Sequence, residues 1–109
     1  MKPLKFKSNL VDQILAGTKT VTWRLFDDKD LKVGDTFAVI NSDDGKEYGQ
    51  AEIVEIKEKK LGEMTEVDYE YSNYEKETQI EMLHKYQAIY GDKVTLDTVV
   101  KMVKFKLNK

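Results

Sequence analysis

Alternation of polar and apolar residues over residues 20–26 is the feature that most constrains how this chain folds. A period of two predicts a strand with one face toward a core and one face that carries chemical groups. The two faces are Val21, Trp23 and Leu25 on the apolar side and Thr20, Thr22 and Arg24 on the polar side. Just before this strand, Gly17 is placed to end a helix in a left-handed turn.

Strand-like patterns recur along the rest of the chain. We expect further strands over residues 4–7, 36–41, 50–59 and 99–107, with hairpin-turn residues at 42–45. Helices are expected over residues 10–16, from about residue 65, and from the cap Thr78 to Gly91, with a loop over residues 69–77. Leu10, Ile14 and Leu15 should face inward from the first helix, and a bulge is expected near Val103 and Lys104.

This order of elements predicts an α+β fold, a small mixed β-barrel with flanking helices. With 109 residues, the chain is expected to form one domain over residues 1–109. No apolar run approaches the roughly 20 residues that cross a bilayer, and the first residues lack the apolar stretch of a signal peptide. We therefore expect a cytoplasmic protein.

Composition excludes several classes of active site. The chain has no cysteine, which removes disulfides, thiol catalysis and sulfur-based zinc sites, and His84 is its one histidine. We expect His84 to be a helix residue without a catalytic role, and we expect no metal or other cofactor. A net charge of -2 disfavours a globally basic nucleic-acid binder.

The segment from Gly17 to Arg24 has the densest mix of chemical groups. It holds the one tryptophan and the one arginine of a chain whose 18 basic residues are otherwise lysines. Arginine offers a planar fork for carboxylate or phosphate that lysine cannot provide. Because Thr22 and Arg24 share a strand face and Lys19 lies in the preceding turn, we expect the three side chains to converge on one cleft at the barrel mouth.

Gly17, Lys19, Thr22 and Arg24 match the signature Gly-x-Lys-x-x-(Glu/Thr)-x-Arg of the ASCH domain family, which is related to the PUA RNA-binding fold. The resemblance extends over the chain: residues 10–17 are similar to the family's first helix, 31–36 to its turn before a barrel strand, 82–90 to its late helix and 99–107 to its closing strand. It implies a PUA-like/ASCH mixed β-barrel.

Many members of this family carry glutamate at the position of Thr22. Threonine there resembles the small bacterial amidohydrolases of the family, which remove the acetyl group from N4-acetylcytidine. The resemblance implies that Lys19, Thr22 and a downstream glutamate are catalytic. Alignment backward from the late helix favours Glu75, and Glu70 and Glu77 remain alternatives.

This hypothesis assigns a role to each group. Thr22 would attack the acyl carbon after Lys19 removes its proton, and Glu75 would protonate the leaving nitrogen. Partial burial and the charge of Arg24 would lower the pKa of Lys19 enough to make it a base. Arg24 itself would bind substrate or orient the site.

The tyrosines of the predicted loop are candidates for stacking on a pyrimidine, with Tyr71 and Tyr74 as substrate-binding residues. The expected partner is a nucleoside or nucleotide, with single-stranded RNA as the alternative, no membrane, and a monomeric protein. A non-catalytic RNA- or nucleotide-binding module is the rival function. A third hypothesis, an RNA-processing nuclease, is weaker because the chain lacks paired histidines.

Overall fold

Five strands form one mixed sheet in the computed structural model, which describes residues 1–27 and 29–108. They are β1 (Lys2–Phe6), β2 (Val21–Leu25), β3 (Thr36–Asn41), β4 (Glu47–Lys60) and β5 (Val99–Leu107). The strand order is β1-β3-β4-β5-β2, with β1 parallel to β3 and the other pairs antiparallel. The sheet curves into a half-barrel, which confirms the predicted α+β barrel-like fold.

The helices lie where turn and cap residues permit. α1 (Ser8–Ala16) ends at Gly17, whose φ of 82° is left-handed as predicted. α2 (Glu66–Ser72) and α3 (Gln79–Tyr90) each begin with a capping box, in which Thr65 or Thr78 exchanges hydrogen bonds with the third helical residue. A short 3-10 turn (Leu61–Glu63) follows β4. No helix in the described ranges is long and apolar enough to cross a bilayer.

Three local predictions were wrong. Leu15 is 43% exposed, and α1 instead packs Val11 and Ile14 inward, because the position of the helix against the sheet decides which of its apolar residues are buried. The expected loop over residues 69–77 is helical as far as Ser72. The bulge lies in β4, between Ile53 and Glu55, rather than in β5.

Two apolar clusters fill the molecule, one on each face of the sheet. The first lies between the sheet and α1, and the second lies beneath α2 and α3. Strand β5 contributes side chains to both clusters: Met102 and Val103 are neighbours that point to opposite faces of the sheet, and both are fully buried. This double burial explains why the apolar residues of β5 fit no single alternating pattern.

β1 and β2 are the two outer strands, so each has an edge without a strand partner. The Phe105 N–H of β5 donates to the Thr20 carbonyl at 2.9 Å. Because the direction alternates along the strand, the polar-face residues that follow in β2 also direct their backbone N–H and C=O groups toward β5. By alternation, the backbone groups of Val21 and Trp23 face the open edge. Side chains near this edge can therefore hydrogen-bond to the β2 backbone.

Candidate functional site

Trp23 anchors the elements around the candidate site. Its indole N–H donates to Ser72 Oγ at 2.6 Å, which fixes the end of α2 against β2. The ring also packs against three tyrosines, with centroid distances of 5.4 Å to Tyr69, 4.9 Å to Tyr74 and 6.4 Å to Tyr86. Trp23 is therefore turned into the core, as its alternating position predicted.

Lys19 lies in the turn before β2, and its side chain is only 5% exposed. Its ammonium donates to the Val21 carbonyl at 2.9 Å, on the open edge of β2, and to the Tyr74 hydroxyl at 3.0 Å. Among the described residues, no carboxylate pairs with it. A buried lysine without an acidic partner is uncommon in structural roles and typical of functional sites.

Burial, together with the positive charges of Arg24 and Lys85, lowers the pKa of Lys19 from 10.5 to about 8. The protein thus disfavours the charged amine by about 3 kcal/mol. Roughly a tenth of the molecules carry a neutral Lys19 amine at pH 7. Such an amine can accept a proton near neutral pH.

Tyr74 connects Lys19 to Thr22. Its hydroxyl oxygen accepts a hydrogen bond from the Lys19 ammonium at 3.0 Å. The Trp23 backbone and the Thr22 side chain are further hydrogen-bonding groups that act on the phenol. Burial raises the pKa of Tyr74, although these hydrogen bonds and the charge of Arg24 act in the opposite direction. Tyr74 therefore bonds to Lys19 and is acted on by Thr22 and Arg24, three of the signature residues.

Thr22 is buried beneath this contact, with 6% of its surface exposed. Its side chain lies near Tyr74 rather than in an open cleft. Neither of the two cavities beside Arg24 is lined by Thr22. Lys19 donates to Val21 and Tyr74, and Arg24 donates to Lys5, so a shared cleft for Lys19, Thr22 and Arg24 remains a prediction.

Arg24 extends from β2 toward the other outer strand. Its Nη2 donates to the Lys5 carbonyl at 3.4 Å, and its guanidinium lies 4.9 Å from the Phe6 ring centroid. Arg24 therefore bridges the seam between β1 and β2. Its charge still acts on both Lys19 and Tyr74, which places it at the rim of the same site.

Two cavities share Arg24, Phe26 and Asp27 in their linings, with volumes of about 250 and 160 Å³. Phe26 follows β2 in a left-handed conformation with φ of 51°, which is strained for a bulky side chain. Its ring is 43% exposed. The surface beside Arg24 thus combines a cation with an accessible aromatic ring.

The three candidate glutamates differ in position. Glu75 and Glu70 are exposed. Glu77 is partly buried and pairs with Lys85 at 3.0 Å. Its charge adds to burial in raising the pKa of Tyr69 and Tyr86, two of the rings around Trp23. Glu77 is therefore the glutamate in electrostatic contact with the site, although alignment favoured Glu75.

The two predicted stacking tyrosines lie in different surroundings. Tyr74 packs on Trp23, whereas Tyr71 donates to Glu55 and lies beneath Lys57, whose Nζ is 4.0 Å from the ring centroid. Stacking on a pyrimidine therefore remains a prediction for both.

Sequence reasoning missed two residues of the site. Lys85, from α3, acts on Lys19, and the Asn73 side-chain amide donates to the Thr18 carbonyl at 3.1 Å, which ties the α2–α3 loop to the signature turn. The signal for Asn73 was available, since asparagine after a helix often adopts the left-handed conformation seen here (φ 55°). For Lys85 the sequence holds no such signal. No group of three potential metal-ligating side chains occurs within residues 1–27 and 29–108.

The arrangement of a mixed half-barrel, three helices and a signature turn before an outer strand defines an ASCH-type fold. Solved structures with the same fold include an ASCH domain from Lactobacillus crispatus, with a TM-score of 0.70 and 17% identity over 97% of this chain and 79% of that one.

A DUF984 protein from Enterococcus faecalis has a TM-score of 0.76 at 12% identity, over 99% of this chain and 76% of that one. A variant of an ASCH protein from Zymomonas mobilis has a TM-score of 0.64 at 12% identity, over 95% and 66% of the two chains. No family profile matches the sequence, and no curated protein does so. The chain therefore has the fold of ASCH domain proteins, which confirms the fold expected from the signature.

Proposed function

We propose that this protein is an amidohydrolase that removes an acyl group from the exocyclic nitrogen of a cytidine-type nucleoside, with N4-acetylcytidine as the preferred substrate. The observation that carries the proposal is the buried Lys19 amine. It has no carboxylate partner within residues 1–27 and 29–108, and it donates to the Tyr74 hydroxyl, with which the Thr22 side chain also interacts. A base beside a hydroxyl is the minimum that nucleophilic amide hydrolysis requires.

The reaction begins when Thr22 Oγ bonds to the acyl carbon. The carbonyl π pair moves onto oxygen, and the Thr22 proton passes to the neutral Lys19 amine. Breakage of the carbon–nitrogen bond needs a proton on the leaving nitrogen, which the Lys19 ammonium supplies. Water then hydrolyses the acyl-threonine ester with Lys19 again as base, and cytidine, acetate and free Thr22 result.

Glu77 has a positioning role in this proposal. Its pairing with Lys85 at 3.0 Å offsets a positive charge that otherwise lowers the pKa of Lys19. Arg24, at the rim, contributes a fixed positive charge for the polar part of the substrate. The proposed partner is a nucleoside or nucleotide that binds to a monomeric protein.

The proposal is tested by incubating purified protein with N4-acetylcytidine, with and without chelator, and measuring cytidine and acetate. Hydrolysis that is insensitive to chelator is expected, because neither Thr22 nor Lys19 needs a metal for the steps above. The rival function is a binding module. Wild-type protein that leaves the amide intact but binds single-stranded RNA as tightly as a Thr22→Ala variant would establish that rival.

The glutamate assignment gives a separate prediction. Glu77→Gln leaves the charge of Lys85 unopposed, which lowers the pKa of Lys19 and moves the rising limb of the pH–rate profile to lower pH by roughly a few tenths of a unit. Glu75→Gln is the matched control and should leave the profile unchanged. A loss of a hundredfold or more in Glu75→Gln would instead make Glu75 the general acid that the family resemblance implies.

A further inference from the structure

The Tyr74 hydroxyl group lies among three hydrogen-bonding groups from the turn before β2 and from β2 itself. Lys19 donates to it at 3.0 Å, and the Trp23 backbone N–H and the Thr22 side chain approach the same atom. A neutral hydroxyl has two lone pairs and a proton of its own to place. The Lys19 ammonium and the Trp23 N–H are therefore two donors beside one oxygen atom, an arrangement that also suits an anionic oxygen.

The Trp23 backbone N–H lies directly after Thr22, the proposed nucleophile. Trp23 directly follows Thr22, and its N–H faces the open edge of β2, where no strand competes for it. A backbone N–H from the residue after a nucleophile is a common component of oxyanion holes in hydrolases. Such donors stabilise the charge that develops on a carbonyl oxygen during nucleophilic attack.

We propose that the Trp23 backbone N–H and the Lys19 Nζ form an oxyanion site, and that the Tyr74 hydroxyl occupies this site in the substrate-free protein. The inference rests on the proposed function, because it names the acyl oxygen as the ligand. When the substrate displaces Tyr74, its carbonyl oxygen takes the place of the phenol oxygen. Lys19 then carries the proton received from Thr22 and faces the oxyanion as an ammonium.

The closed state of the site fits this proposal. Thr22 is 6% exposed while Tyr74 is in place. Tyr74 lies at the start of the short segment between α2 and α3, directly after the left-handed Asn73. A movement of this segment would expose the nucleophile and its oxyanion donors together.

The test uses acetate ion as the probe, because its carboxylate presents an anionic oxygen and does not depend on turnover. Acetate is titrated into ¹⁵N-labelled wild type, Tyr74→Phe and the control Tyr48→Phe, whose hydroxyl contacts Asp44 on an exposed part of β4. Phenylalanine keeps the ring packed on Trp23 but removes the competing oxygen. We expect acetate to shift the Trp23 amide signal and to bind Tyr74→Phe about tenfold more tightly than wild type or Tyr48→Phe.

A Trp23 amide that does not respond to acetate in wild type would overturn the proposal, even if Tyr74→Phe fails to fold. Weaker acetate binding by folded Tyr74→Phe would also overturn it. In the kinetic arm Tyr48→Phe is the variant expected to match wild type. Tyr74→Phe should change KM for N4-acetylcytidine more than kcat, and a hundredfold loss of kcat would contradict the inference. Acetate binding at Trp23 without any hydrolysis would sustain the oxyanion site while rejecting the proposed function.

Discussion

Replacing Thr22 with alanine should lower kcat for N4-acetylcytidine by at least about a thousandfold, because the variant lacks the oxygen that attacks the acyl carbon. The methyl group of alanine fits within the space of threonine, so the β2–β5 pairing at Thr22 and Val103 should persist. The measurement is single-turnover hydrolysis together with thermal unfolding, which confirms that the loss is not a loss of fold.

Thr22→Ser is the matched control, since serine keeps the hydroxyl and loses only a methyl group. We expect it to retain substantial activity. If Thr22→Ala hydrolysed the substrate at the wild-type rate, Thr22 would not be the nucleophile. If Thr22→Ser and Thr22→Ala were equally inactive, shape rather than the hydroxyl would be the requirement at this position.

Replacing Lys19 with methionine should abolish hydrolysis to a similar degree, because no base remains beside Thr22. In wild type, kcat/KM should rise with pH through about 8, as Lys19 loses its proton. Lys46→Met, at an exposed position in the β3–β4 hairpin, is the control and should keep the wild-type profile. A rising limb centred near pH 10.5, the ordinary value for lysine, would remove Lys19 from the role of base.

The same variant reports on stability. The folded-state pKa of Lys19 is about 8, below its ordinary value of 10.5, so between these pH values the unfolded chain binds more protons than the folded one. The free energy of unfolding therefore rises with pH across this window, by up to about 3 kcal/mol from Lys19 alone. Compared with Lys19→Met in denaturant titrations, wild type should gain most of this difference between pH 7.5 and 10. Equal pH dependence in both proteins would contradict the burial of the amine.

Polar–apolar alternation and the residues that begin or end helices predicted most of the fold. Alternation located β1 and β2, and Gly17 and Thr78 marked where helices end and begin. These signals are local, since each depends on the backbone conformation of a few residues. The helical face of α1 was wrong for the same reason: Leu15 and Val11 are both apolar, and only the packing against the sheet decides which of them is buried.

The site was predictable only in part. The signature placed Lys19, Thr22 and Arg24 within one turn and the strand that follows it. The contribution of Tyr74 depends on the length and path of the segment after α2, which is a tertiary property. The same holds for Glu77, whose relation to Lys19 passes through Lys85 on α3.

The gap between β1 and β2 has a consequence for how the molecule exchanges its amide protons. These outer strands do not pair with each other in the sheet, and Arg24 reaches the Lys5 carbonyl across the gap. Opening along this line separates no strand ladder, so it requires less free energy than opening between β4 and β5. Deuterium uptake should therefore be faster at the outward-facing amides of β2 than in β5, and a bound nucleoside should slow it.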